Sequence, residues 1–291
     1  MNRNSRTSVI RTTIFTLLLL PLLAWADPAA FQVKRIGQGA PIILIPGLAS
    51  AGEVWEPTAR HLALHYECHI LTLAGFAGVA PIKTPLLATV ENELADYIVR
   101  NHLQRPVLVG HSLGGLLALR LAADHREMVG RVVIVDALPA LGATQNPDAN
   151  AEQLAQAAEQ VRAAMLASDA ASYAASQRQA IASMVTRAED VDRIAAWGQA
   201  SDRTTVVNAM ADALRTDLRQ DVARIQAPTL VLGTWIEYQA FAPRAAIEAT
   251  FQGQYQKLPG VKIVLADNAR HFIMVDDPSW LQARIDDFLK E

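Results

Sequence analysis

The run Gly110-His111-Ser112-Leu113-Gly114-Gly115 constrains this chain more than any other stretch of it. An apolar run at residues 106–109 precedes it, and a helix-like segment at 116–121 follows. Strand, tight turn and helix in that order, with serine at the turn, make Gly-x-Ser-x-Gly a nucleophile elbow. The serine there sits in strained backbone that pushes its hydroxyl into the open. Side chains two residues away would collide, so Gly110 and Gly114 leave room. The amides that start the new helix face the same spot, where they can stabilise negative charge.

Composition bounds the rest. The chain has 291 residues, 51% hydrophobic and 19% charged, enough for one α/β domain with an insertion. Its first residues are expected to lie outside that fold. Arg3, Arg6 and Arg11 precede a short apolar run at 14–23, and Ala24-Trp25-Ala26 supplies a small-x-small cleavage site. Residues 1–26 therefore read as a signal peptide, removed on export to a periplasm or beyond. The apolar run is too short for a membrane anchor, and Pro21 interrupts it. Losing three arginines takes the formal net charge from −3 to −6, which argues against nucleic acid or an anionic membrane as partner. Cys68 is the only cysteine, so no intramolecular disulfide can form, and its apolar setting suggests a buried thiol.

Strand signals fall at residues 31–36, 41–45, 68–73, 106–109, 130–135, 228–233 and 261–265. Helical spacing falls between them at 54–66, 86–102, 243–255 and 278–289. This alternation predicts an α/β fold, a mainly parallel sheet with helices on both faces. From 141 to 227 the alternation stops, and four helical segments at 151–166, 172–185, 190–198 and 205–214 predict a helical cap insertion. The core is then residues 27–140 and 228–291.

Serine needs a base to act as a nucleophile at neutral pH. His271, just past the last strand, is the best-placed histidine, since ligand-side residues of open α/β sheets lie at the carboxyl ends of strands. The histidine in turn needs a carboxylate to hold its tautomer. Asp136 ends the strand after the elbow helix, and Glu237 follows the next strand. Asp136 is favoured, with Glu237 the alternative acid, and Asp267 is too close to His271 in sequence. Two amides must hold the oxyanion. Leu113 follows the nucleophile, and Leu48 lies in the loop Pro46-Gly47-Leu48, where Gly47 keeps the approach open. His61 and His65 are four apart, but no further ligands accompany them, so no metal is expected.

With Ile45-Pro46-Gly47-Leu48, the serine elbow, Ala227-Pro228-Thr229-Leu230-Val231-Leu232-Gly233 and His271-Phe272 before Asp277-Pro278, the chain resembles the α/β-hydrolase superfamily. The resemblance covers nearly all of the mature protein. It implies a helical cap where the insertion sits, Ser112 as nucleophile, His271 as base, and the amides of Leu48 and Leu113 as oxyanion hole. Two departures stand out. Many members carry His-Gly where this chain has Pro46-Gly47, and many carry aspartate where it has Ile236 and Glu237. In a branch with haloalkane dehalogenases the acid follows the earlier strand, as Asp136 does; their nucleophile is aspartate, so Ser112 argues against that reaction.

The cap is expected to roof a pocket, with Met165, Met184, Met210, Leu166, Ile181 and Trp197 as possible lining. Phe76, Leu138 and Phe272 near the strand ends are better candidates for its walls. The expected function is an exported serine hydrolase of a small to medium apolar carboxylic ester, through an acyl-enzyme and without cofactor. The alternatives are a lactonase or aminopeptidase on the same triad, or a ligand-binding protein that keeps the pocket. The sequence points to a small-molecule ester partner and to no particular oligomeric state.

Overall fold

The apolar runs alternate between two faces of one sheet, and each face finds its own helices. The computed structural model describes residues 29–291, so the signal peptide expected at 1–26 lies outside the described residues. The strands are β1 (Phe31–Gly37), β2 (Ala40–Ile45), β3 (Tyr66–Leu73), β4 (Val107–His111), β5 (Arg131–Val135), β6 (Thr229–Thr234) and β7 (Lys262–Ala266). Their order in the sheet is β1-β3-β2-β4-β5-β6-β7. Among the described residues only β1 runs antiparallel, against β3; every other pairing is parallel.

Ile43, Leu108, Ile134 and Val231 point to one face, where α2 (Leu86–Arg100), α3 (Leu113–Asp124) and α8 (Arg244–Tyr255) pack. Ile42, Leu44, Val109, Val133 and Leu232 point to the other, covered by α1 (Glu56–Leu62) and α10 (Pro278–Lys290). Strands buried on both faces read as unbroken apolar runs, which is why alternation is hidden in β4 and β5. Cys68 lies in this second core; burial pushes its thiol up to about 11.

Between β5 and β6 the chain forms α4 (Ala151–Ala167), α5 (Ala170–Met184), α6 (Ala188–Gln199) and α7 (Arg203–Arg215). Their starts are written locally. Asn150 and Gln153 form a reciprocal capping box, and the carboxylates of Asp169 and Asp202 accept the amides of Ser172 and Thr205. Alanine favours helix without needing a core, so α5 forms although it buries no side chain fully. The insertion docks at the carboxyl ends of the strands. The Asp202 amide donates to the Gly75 carbonyl (2.7 Å), and the Gly78 amide donates to that of Ala200 (3.0 Å). The Phe272 amide donates to the Met184 carbonyl (3.2 Å), and the Asp276 carboxylate accepts from Thr186.

Three details differ from the sequence reading. A 3₁₀ turn (Gly52–Trp55) precedes α1, which stops at Leu62, so His61 and His65 share no helix face; His61 pairs instead with Asp286 at 2.8 Å. A short α9 (Ile273–Asp276), too brief for periodicity to reveal, follows His271. Leu166, given as possible pocket lining, is 39% exposed.

Gly75 holds φ +78°, and a Cβ there would stand 2.6 Å from the Thr205 side chain of α7. Gly75→Ala combines that overlap with left-handed strain, and a loss of about 2 kcal/mol or more is expected in urea unfolding. An unchanged midpoint would show that this contact does not hold the insertion.

Candidate active site

Sheet register builds the site. His111 of β4 pairs with Val135 of β5, and the next residue on each strand is Ser112 and Asp136. Both leave the sheet with positive φ, 51° at Ser112 and 47° at Asp136. Such backbone costs about 1–3 kcal/mol per residue and persists where surroundings enforce it. At the elbow they do. A Cβ on Gly110 would stand 2.2 Å from the Gly114 carbonyl oxygen, and one on Gly114 would stand 2.3 Å from that of Ile45. No side chain fits at either place, so β4 and α3 meet with Ser112 alone at the bend.

The structure bonds the His271 ring to Asp136, with Glu237 near both. Nδ1 of His271 donates to Asp136 Oδ2 at 2.6 Å. The other oxygen, Oδ1, accepts the Thr234 amide at 2.9 Å, while the Thr234 hydroxyl donates to the Ala269 carbonyl at 2.5 Å. Thr234 thus ties the carboxylate to the loop that carries His271, a role that no sequence motif signals. Asp267 faces elsewhere, accepting from the Trp235 indole and from Arg244.

His111, inside the elbow motif, is a further participant that the sequence marks only by its position. Its Nε2 donates to the His271 carbonyl at 3.1 Å, and its ring lies 4.6 Å from the His271 ring and 4.8 Å from that of Phe272. A Cβ on Gly47 would stand 2.8 Å from His111 Nδ1 and 3.3 Å from the Ser112 Cβ, so the Leu48 loop closes over the same bend. Burial, and then the neighbouring His271, hold the His111 pKa well below its usual value, so the ring is neutral.

The expected wall residues divide. Phe272 is buried against the two histidine rings, and Leu138 is half-buried beside the first core. Phe76 is wholly buried within that core. Trp197 of α6 packs against the second core with Arg193 5.9 Å over its ring.

Burial alone would lower the His271 pKa, but the Asp136 hydrogen bond and the charges of Asp136 and Glu237 outweigh it and leave the pKa above 6.5. Glu237 is pushed up to about 7, chiefly by burial. Donor atoms of Asp136, Glu237 and His271 lie within 4.8 Å of one another. The Nδ1–Oδ2 contact at 2.6 Å within this group is a charge-assisted hydrogen bond.

The family model described as "Alpha/beta hydrolase family" matches residues 42–283. A pimeloyl-acyl-carrier-protein methyl ester esterase of Vibrio cholerae is 33% identical over 107 residues, 37% of this chain and 40% of that one. The chain thus spans about 40% of that curated relative's length. A hydrolase from Pseudomonas aeruginosa PA01 superposes with TM-score 0.72 at 21% identity, covering 90% of this chain and 94% of the other. The enol-lactonase from Burkholderia xenovorans LB400 does so with TM-score 0.71 at 18% identity, covering 90% and 96%. At these identities the two structures speak to the fold alone.

Asp136→Asn removes the charge that opposes burial at His271. The imidazole pKa, followed by NMR titration, is expected to fall below its value in the unaltered protein. A pKa that stays put would mean that Asp136 does not set it.

Proposed function

Since the chain belongs to the alpha/beta hydrolase family, we propose that it is an exported serine hydrolase of small to medium, largely apolar carboxylic esters. The observation that carries this reading is the 2.6 Å bond from His271 to Asp136, formed where Ser112 and Asp136 leave adjacent strands at one level.

With Nδ1–H committed to Asp136, the Nε2 lone pair of His271 is left to act as base. It takes the Ser112 proton as the serine oxygen attacks the ester carbonyl carbon. The amides of Leu48 and Leu113 hold the resulting oxyanion; losing one such donor costs about 3 kcal/mol of barrier. His271 then gives its proton to the leaving alcohol oxygen, and the C–O bond breaks to leave the acyl group on Ser112. A water deprotonated by His271 attacks the acyl carbon, and collapse returns the proton to Ser112 and frees the acid. The imidazolium formed at each step is stabilised by Asp136.

Ser112 and His271 are half-buried, consistent with substrate access. Phe272 packs on the His271 ring, and Ile181 and Met184 of the insertion pack against the same apolar core as Phe272, which suits an apolar acyl or alkyl group. An ester substrate is in keeping with the methyl ester esterase among the relatives.

Residues 27–291 and their Ser112→Ala variant should be compared on nitrophenyl esters from acetyl to palmitoyl. Turnover peaking at short to medium chains, and at least about 10⁴-fold lower in the variant, is expected. No turnover of any ester by folded protein would overturn the proposal, and activity on lactones alone would move it to that class.

A further inference from the structure

Two carboxylates, not one, stand behind His271. Asp136 is fully engaged, with one oxygen on His271 Nδ1 and the other on the Thr234 amide. Glu237, leaving the end of β6, brings an oxygen within 4.8 Å of donor atoms of both. Its Oε2 is buried and has no hydrogen-bond partner among the described residues. A carboxylate oxygen left unpaired beside an imidazole that must become positive during turnover is poorly explained as a surface charge.

We propose that Glu237 is a positioning residue that serves His271 as a second counter-ion, setting the pH range in which the imidazole is a free base and replacing Asp136 when that carboxylate is removed. The proposal rests on the reading of His271 as base. The charged and titratable groups around Glu237 are His271, Asp136, Arg270 and Tyr238. Arg270 is drawn toward the insertion, where its guanidinium lies on the carbonyls of Ala182, Ser183 and Val185. Burial raises Glu237 toward neutrality, and Asp136 adds to this; His271 and, more weakly, its backbone amide and Arg270 favour the ionised form. Burial and Asp136 likewise push the Tyr238 phenol upward, so it stays neutral beside the pair.

The consequence is proton sharing. Ionised Glu237 favours the imidazolium and so raises the His271 pKa. Removing its charge lowers that pKa, leaving the imidazole a free base at lower pH. Activity, which needs the free base, should then persist further into acid.

The test measures kcat and kcat/KM against pH for the unaltered protein, Glu237→Gln, Asp136→Ala and the double variant on one nitrophenyl ester, each checked for folding by circular dichroism. The acid limb of kcat/KM in Glu237→Gln is expected to move down by about half a unit to one unit, with the plateau changed by less than about threefold and KM unchanged. In the Asp136→Ala background, the same Glu237 change is expected to cost about tenfold more than it does alone. A limb that does not move, with losses that simply multiply, would overturn the role of Glu237 while leaving Asp136 in place. Loss of nearly all turnover in Glu237→Gln, with Asp136→Ala nearly as active as the unaltered protein, would overturn both this inference and the assignment of Asp136.

Discussion

At Ser112 the chain turns from the end of β4 into α3 within a single residue, and that turn leaves no volume for a side chain on either flank. Gly110 faces the Gly114 carbonyl, and Gly114 faces the carbonyls of Ile45 and Pro46, all closer than a carbon could stand. The positive φ at Ser112 is unfavourable locally. It is held because β4 is paired on both sides and α3 is buried along most of its length. Strain at one residue is thus offset by burial of the five leucines of α3 among others, each worth about 1.5–3 kcal/mol when fully covered.

The same packing arranges the electrostatics. His111 cannot move without disturbing the elbow, and through its Nε2 it holds the backbone of His271. Thr234 reaches from the end of β6 to Asp136 on one side and to the His271 loop on the other. The imidazole is therefore fixed from two strands and one turn, with two carboxylates behind it. Burial disfavours its charged form, and the carboxylates restore it. An imidazole held this way needs little rearrangement on protonation, which is the advantage of a preorganised polar site.

Much of the fold is legible in the chain because its signals are local. Strands covered on both faces need continuous apolar runs, and β2, β4, β5 and β6 lie within a residue or two of where those runs fall. The insertion was equally readable, since helical spacing without strand signals fills the stretch between β5 and β6. The failures have a common cause. Where α1 stops and which way the cap side chains face depend on what each element meets in space. Alanine-rich helices such as α5 carry too weak an apolar stripe to declare their inner face.

The sequence by itself determined the serine turn, the alternation of strands and helices, and the place of the helical insertion, because backbone sterics and burial periodicity act over a few residues. It also singled out Ser112, His271, Asp136 and Glu237, since strand ends can be counted along the chain. Only the tertiary structure decided which of the two carboxylates His271 Nδ1 bonds. That depends on the register of β5 against β6 and on an amide of Thr234 that draws Asp136 into line, contacts between residues 98 positions apart that no local pattern encodes.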